Sequence, residues 1–70
     1  MTMQEKIEGA LIHANMSKTE VGKKAFGVTQ QAISQRIQKG KFTKEELEMI
    51  AKAMGAEYHC YFEFPDGKRF

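Results

Sequence analysis

Thr2-Met3-Gln4-Glu5, Ser17-Lys18-Thr19-Glu20 and Thr43-Lys44-Glu45-Glu46 each set a hydroxyl residue three positions before a glutamate. Such a pair closes a capping box. The hydroxyl accepts from a backbone N–H in the first turn, and the glutamate reaches back to the cap's own N–H. Thr29 is a fourth hydroxyl start, without the acidic partner. Four starts in so short a chain allow only short helices. They predict helices over about residues 3–14, 18–26, 30–39 and 44–54, with room for at most a fifth. Asn15, Gly27, Gly40 and Gly55 stand where these helices should stop.

The apolar residues agree with that division. Met3, Ile7, Ala10, Leu11 and Ala14 form one stripe, and Leu47, Ile50, Ala51 and Met54 form another at i, i+3, i+4, i+7. Val21, Ala25 and Phe26 supply the apolar side of the second helix, and Ile33 and Ile37 that of the third. Gly22 sits beside Val21, where a side chain would obstruct a close neighbour. After Gly55 the period changes to two. Tyr58, Cys60, Phe62 and Phe64 alternate with Glu57, His59, Tyr61 and Glu63, which predicts a strand from 57 to 64. Pro65-Asp66-Gly67 is a turn, and Lys68–Phe70 can begin a returning strand. The expected fold is mainly α, a helical core over 1–55 with a C-terminal β-hairpin over 56–70, as one domain.

A chain of 70 residues buries only ~60% of the surface its unfolded form exposes, so stability is marginal. Cys60 is the single cysteine, which rules out an internal disulfide. No apolar run approaches the ~20 residues that span a bilayer. One cysteine and no secretory segment fit a cytoplasmic protein. His13 and His59 are isolated, with no second ligand at a metal-binding spacing. The Glu45, Glu46 and Glu48 group suits the start of a helix, where the dipole favours anions. No nucleophile–base pairing or phosphate-cradling glycine loop is present. Neither an enzyme nor a cofactor or metal is expected.

Charge is unevenly placed. Val21 to Lys44 holds six basic residues (Lys23, Lys24, Arg36, Lys39, Lys41 and Lys44) and no acid. The rest holds five basic and nine acidic residues, so a net +2 divides into +6 and −4. Within the basic segment, Gln31, Gln35 and Gln38 fall opposite Ile33 and Ile37 on the third helix, with Ser34 on the shoulder. Glutamine can donate and accept across the N6/N7 edge of adenine. Amides where bases would lie and cations where phosphates would lie point to double-stranded DNA.

Residues 17–55 resemble the phage repressor/Cro-type helix-turn-helix family. The resemblance is carried by Gly27-Val28-Thr29-Gln30-Gln31-Ala32-Ile33-Ser34, against a Gly-Val-Ser-Gln-x-x-Ile-Ser pattern, by the turn Lys39-Gly40-Lys41, and by Leu47-x-x-Ile50-Ala51-x-Ala53-Met54-Gly55. It covers a little over half the chain. It implies that Gln31, Ser34 and Gln35 face bases, that Gln30 touches phosphate or the edge of the site, and that Lys39 and Lys41 touch the backbone. The spacing departs from the family twice. Gly22 lies five rather than four residues before Gly27, and Ile33 to Gly40 is one residue longer than usual. The hairpin lies outside the family pattern.

The expected base readers are therefore Gln31, Ser34, Gln35 and Gln38. The expected phosphate contacts are Lys18, Thr29, Gln30, Arg36, Lys39, Lys41 and Lys44. Lys18 enters because it opens a helix whose free N–H groups favour anions. The function expected is that of a small transcriptional regulator. The rival is a protein-interaction module on the same scaffold, such as an antitoxin or a phage-type inhibitor. Repressor-like proteins commonly bind as two-fold dimers. The long strand has only three residues to pair with, so Tyr58, Cys60, Phe62 and Phe64 are the expected homodimer surface. The competing expectation is that the hairpin folds back on the first and fourth helices and completes a monomer.

Overall fold

The computed structural model describes residues 2–70. The protein is mainly helical: α1 (Met3–Ala14), α2 (Lys18–Phe26), α3 (Gln30–Lys39) and α4 (Lys44–Ala53), followed by β1 (Glu57–Tyr58) and β2 (Phe62–Glu63). Every helix begins at its hydroxyl residue. Thr2, Ser17 and Thr43 accept from the N–H of Glu5, Glu20 and Glu46 at 3.2, 3.1 and 3.1 Å. The three glutamates accept in return from the cap N–H groups at 3.0, 3.0 and 2.9 Å. The Thr29 hydroxyl accepts from Ala32 N–H at 3.3 Å with no reciprocal partner. Met54 is the C-cap of α4, one residue earlier than the apolar stripe predicts.

The helices close around one core. α1 contributes Ile7, Ala10 and Leu11, α2 Val21, α3 Ile33 and Ile37, and α4 Leu47, Ile50 and Ala51. Ile7, Ile33, Ile37 and Ile50 are fully shielded from solvent. The α2–α3 crossing depends on Gly22. A Cβ there would lie 2.8 Å from Ile33 Cγ2 and 3.0 Å from Ile33 Cβ, closer than side chains approach. Ile33 is β-branched and stiff at χ1, so it cannot swing aside. The turn between the two helices passes through Gly27 at φ 67°, in the left-handed region that suits a residue without Cβ. Val28 N–H then donates to the Gly22 carbonyl at 3.2 Å and closes the turn.

The C-terminal segment differs from the eight-residue strand expected. The chain reverses at His59–Tyr61, and β1 pairs antiparallel with β2 in the register Glu57↔Glu63, Tyr58↔Phe62. Cys60 sits in that reversal at φ 70°, exposed to solvent, rather than on an apolar strand face. The Pro65-Asp66-Gly67 turn forms, with Asp66 Oδ1 accepting from Lys68 N–H at 3.0 Å. The returning residues pair with β2. Phe62 and Phe70 exchange both backbone hydrogen bonds at 2.8 and 3.0 Å, and Glu63 bridges to Arg69. β2 is thus flanked on both sides, by β1 and by the returning residues, and among the described residues no long unpaired edge is left.

This small meander folds onto the helices. Phe62 is fully buried and Phe64 is 6% exposed, both within the core. The His13 ring of α1 meets Phe64 edge-on at 4.5 Å, and its Nε2 lies 2.9 Å from Asp66 Oδ2. Phe62 and Phe64, expected on a homodimer face, have their side chains packed in the chain's own core. Tyr58 is half-buried, its ring 5.1 Å from that of Phe62. Among the described residues no helix is long and apolar enough to cross a membrane.

Candidate nucleic-acid interface

α3 presents two unlike faces. Ile33 and Ile37 anchor one face in the core, where they are fully buried. Gln31, Gln35 and Gln38 lie on the exposed side, and Ser34 is half-buried beside them. The structure therefore brings the four expected base readers onto the outward half of one helix. Residues at i, i+4 and i+7 form a continuous stripe because the helix turns every 3.6 residues. An ideal helix separates Gln31 from Gln38 by ~10 Å along its axis.

The stripe formed by Gln31, Gln35 and Gln38 carries no charge, and cations follow its C-terminal end. Lys39 ends α3, Lys41 follows Gly40, and Lys44 opens α4; all three are exposed. Lys23 and Lys24 are exposed on α2. Among the described residues, none of these five lysines enters an ion pair. Gly40 holds the connecting loop close to α1: a Cβ at Gly40 would lie 3.5 Å from Met3 Cβ. The N-terminus of α1 thus backs the loop that carries the lysines.

Three of the expected phosphate residues are otherwise engaged. Lys18 Nζ pairs with Glu8 Oε2 at 3.1 Å, and that lysine holds the Glu8 carboxyl below the usual carboxylate range. The Thr29 hydroxyl is committed to capping α3. Arg36 Nη2 donates to Glu46 Oε2 at 2.7 Å. Its guanidinium carbon also lies 4.9 Å from the Phe42 ring centre and 5.6 Å from that of Phe26. Glu46 is held below the usual range first by the Thr43 N–H and then by Arg36. Gln30 remains exposed at the first position of α3. Phe26, Phe42 and Glu46 were not marked as functional by their spacing. They meet Arg36 from separate elements, and no local pattern connects them.

His59 and Cys60 border a shallow groove together with Lys44, Leu47, Glu48 and Tyr58. His59 Nε2 lies 3.0 Å from Glu57 Oε2 at the β1 reversal. Among the described residues no three His, Cys, Asp or Glu side chains gather to hold a metal ion. Comparison with protein-family models, with curated proteins and with solved structures finds no match to this chain.

Proposed function

We propose that this chain is a sequence-specific double-stranded DNA-binding protein, a small regulator of the repressor/Cro-like helix-turn-helix class that reads the major groove with α3. One observation carries this assignment. The exposed residues of α3 are four glutamines, Gln30, Gln31, Gln35 and Gln38, and the terminal Lys39, while Lys41 and Lys44, with no ion pair among the described residues, stand on the following loop and at the start of α4. A face built only for solubility would carry glutamate and lysine. Gln31 and Gln35 each offer one donor and one acceptor to an adenine edge, and a good bidentate contact discriminates by ~1–3 kcal/mol. Gln38 and Ser34 extend or flank the same stripe. Lys39, Lys41 and Lys44 neutralise phosphates and set the docking register without reading sequence. No catalytic group or cofactor is called on.

A protein-interaction module is the rival. Ile12 and Met49 are 81% and 44% exposed, and they are the apolar side chains such a module would use. They lie on α1 and α4, not on α3, and single exposed apolar residues are ordinary on soluble domains. That alternative does not need Lys39, Lys41 and Lys44 together.

Fluorescence anisotropy with a selected duplex and a random duplex separates the two. Gln31→Ala and Gln35→Ala should each weaken the selected duplex by ~1–3 kcal/mol and leave the random duplex nearly unchanged. Lys39→Ala and Lys41→Ala should weaken both alike and lower the salt slope by about one unit each. Equal losses on both duplexes for the glutamine variants, or an unchanged slope for the lysine variants, would refute the assignment.

A further inference from the structure

We propose that Arg36 is the positioning residue of this interface, a guanidinium clamp that fixes the Lys39–Lys41 loop against the reading helix, and is not itself a phosphate contact. The inference rests on the DNA-binding function proposed above. Arg36 lies on α3 between Gln35 and Ile37. Its guanidinium sits over Phe42 at 4.9 Å and Phe26 at 5.6 Å, and these two rings are nearly parallel, 14° apart, with centres separated by 6.5 Å. Phe26 is the last residue of α2, and Phe42 lies in the loop directly after Lys41. Glu46, in the first turn of α4, divides its two oxygens. Oε2 accepts from Arg36 at 2.7 Å and Oε1 accepts from the Thr43 N–H at 2.9 Å.

One side chain therefore ties together the end of α2, the reading helix, the basic loop and the start of α4. Making these contacts together favours the planar guanidinium. A guanidinium can lie on aromatic faces and still donate in its own plane to a carboxylate, whereas an ammonium is a compact, strongly hydrated point charge. The pairing with Glu46 also cancels the charge that a phosphate would attract. The free cations next to it, Lys39 and Lys41, are carried by the backbone that the clamp holds. They touch phosphate while Arg36 determines where they stand relative to Gln35 and Gln38.

The test compares the wild type with Arg36→Lys, Arg36→Gln, Glu46→Gln and the double variant Arg36→Lys/Glu46→Gln, on the selected and random duplexes over a range of salt. Glutamine at 46 still completes the capping box, so α4 keeps its start. The clamp predicts that Arg36→Lys and Glu46→Gln each weaken the selected duplex by about threefold to tenfold, and that the double variant is no worse than either, as residues sharing one interaction should behave. It also predicts an unchanged salt slope for Arg36→Gln. A phosphate contact predicts the reverse: Arg36→Gln lowers the slope by about one unit, Arg36→Lys retains binding, and Glu46→Gln tightens every duplex by releasing a cation. Those results would overturn the inference. The DNA-free protein supplies a readout that does not depend on function. The Arg36 Nη2 protons should be ring-current shifted by Phe26 and Phe42 and slowed in exchange, and Glu46→Gln should remove that slowing. Failure to bind any duplex refutes the DNA-binding function alone, whereas a freely exchanging Arg36 resonance refutes the clamp.

Discussion

Gly22→Ala tests whether the α2–α3 crossing is as close as the structure has it. The added methyl would meet Ile33 Cγ2 at 2.8 Å and Ile33 Cβ at 3.0 Å. Both atoms sit near the α3 backbone, so relief requires the helices to separate. Alanine is the better helix former by ~0.8–1 kcal/mol, which favours the variant. Forcing a methyl into a packed core costs ~1–3 kcal/mol, which opposes it. The balance is a loss of ~0–2 kcal/mol, and each kcal/mol lowers the melting temperature of a domain this size by ~4–8 °C. The functional loss should be larger than the stability loss suggests, because moving α3 outward also moves Gln31 and Gln35. Thermal denaturation and anisotropy on the selected duplex measure the two effects. Ile33→Ala alone opens a cavity at a fully buried site, and combining it with Gly22→Ala should cost less than the sum. A Gly22→Ala protein that gains the full ~1 kcal/mol of helix propensity and binds DNA normally would refute the close crossing.

Phe62→Ala removes a fully buried ring and should cost ~3–5 kcal/mol in urea denaturation, a large part of the total for so small a domain; a loss below 1 kcal/mol is incompatible with its place in the core. Cys60→Gly should raise stability by up to ~1 kcal/mol, because φ 70° strains a side chain that makes an exposed turn; a clear loss would show that the thiol has a partner. Glu5, Glu8, Glu46 and Asp66 are all held below their usual carboxylate ranges, Glu5 and Glu46 chiefly by their cap N–H groups, Glu8 by Lys18 and Asp66 by the Lys68 N–H. Their contribution is complete above the unfolded pKa and is lost as pH falls through the lower folded pKa, so the melting temperature should hold level above about pH 5 and decline below it. With Phe62 and Phe64 committed to the monomer core, sedimentation of the DNA-free protein at micromolar concentration should give a species of 8.0 kDa, and one of twice that mass would contradict it.

The helical part was legible because its signals are local. A hydroxyl and a glutamate three residues apart satisfy the same N–H groups wherever they occur, and each box in the sequence starts a helix in the structure. The glutamine stripe was legible for the same reason, since Ile33 and Ile37 fix which way α3 turns. The C-terminal segment was misread because alternation has two meanings. Tyr58 and Phe62 share a face in one continuous strand, but they also share a face as register partners across a tight reversal. Cys60 gave no warning, since a positive φ is expected of glycine or asparagine and not of cysteine. Arg36 was read as one cation among six. Its partners lie ten residues ahead at Glu46 and on either side at Phe26 and Phe42, and only the packing of α2, α3 and α4 brings them together.

Selection of bound duplexes from a random double-stranded DNA pool tests the central claim most directly. The wild-type protein should enrich one short motif containing adenines, and Gln31→Ala and Gln35→Ala should each relax the preference at a single, different position while retaining binding. A pool that returns no motif from the wild type, or the same motif from both glutamine variants, would contradict sequence reading by α3.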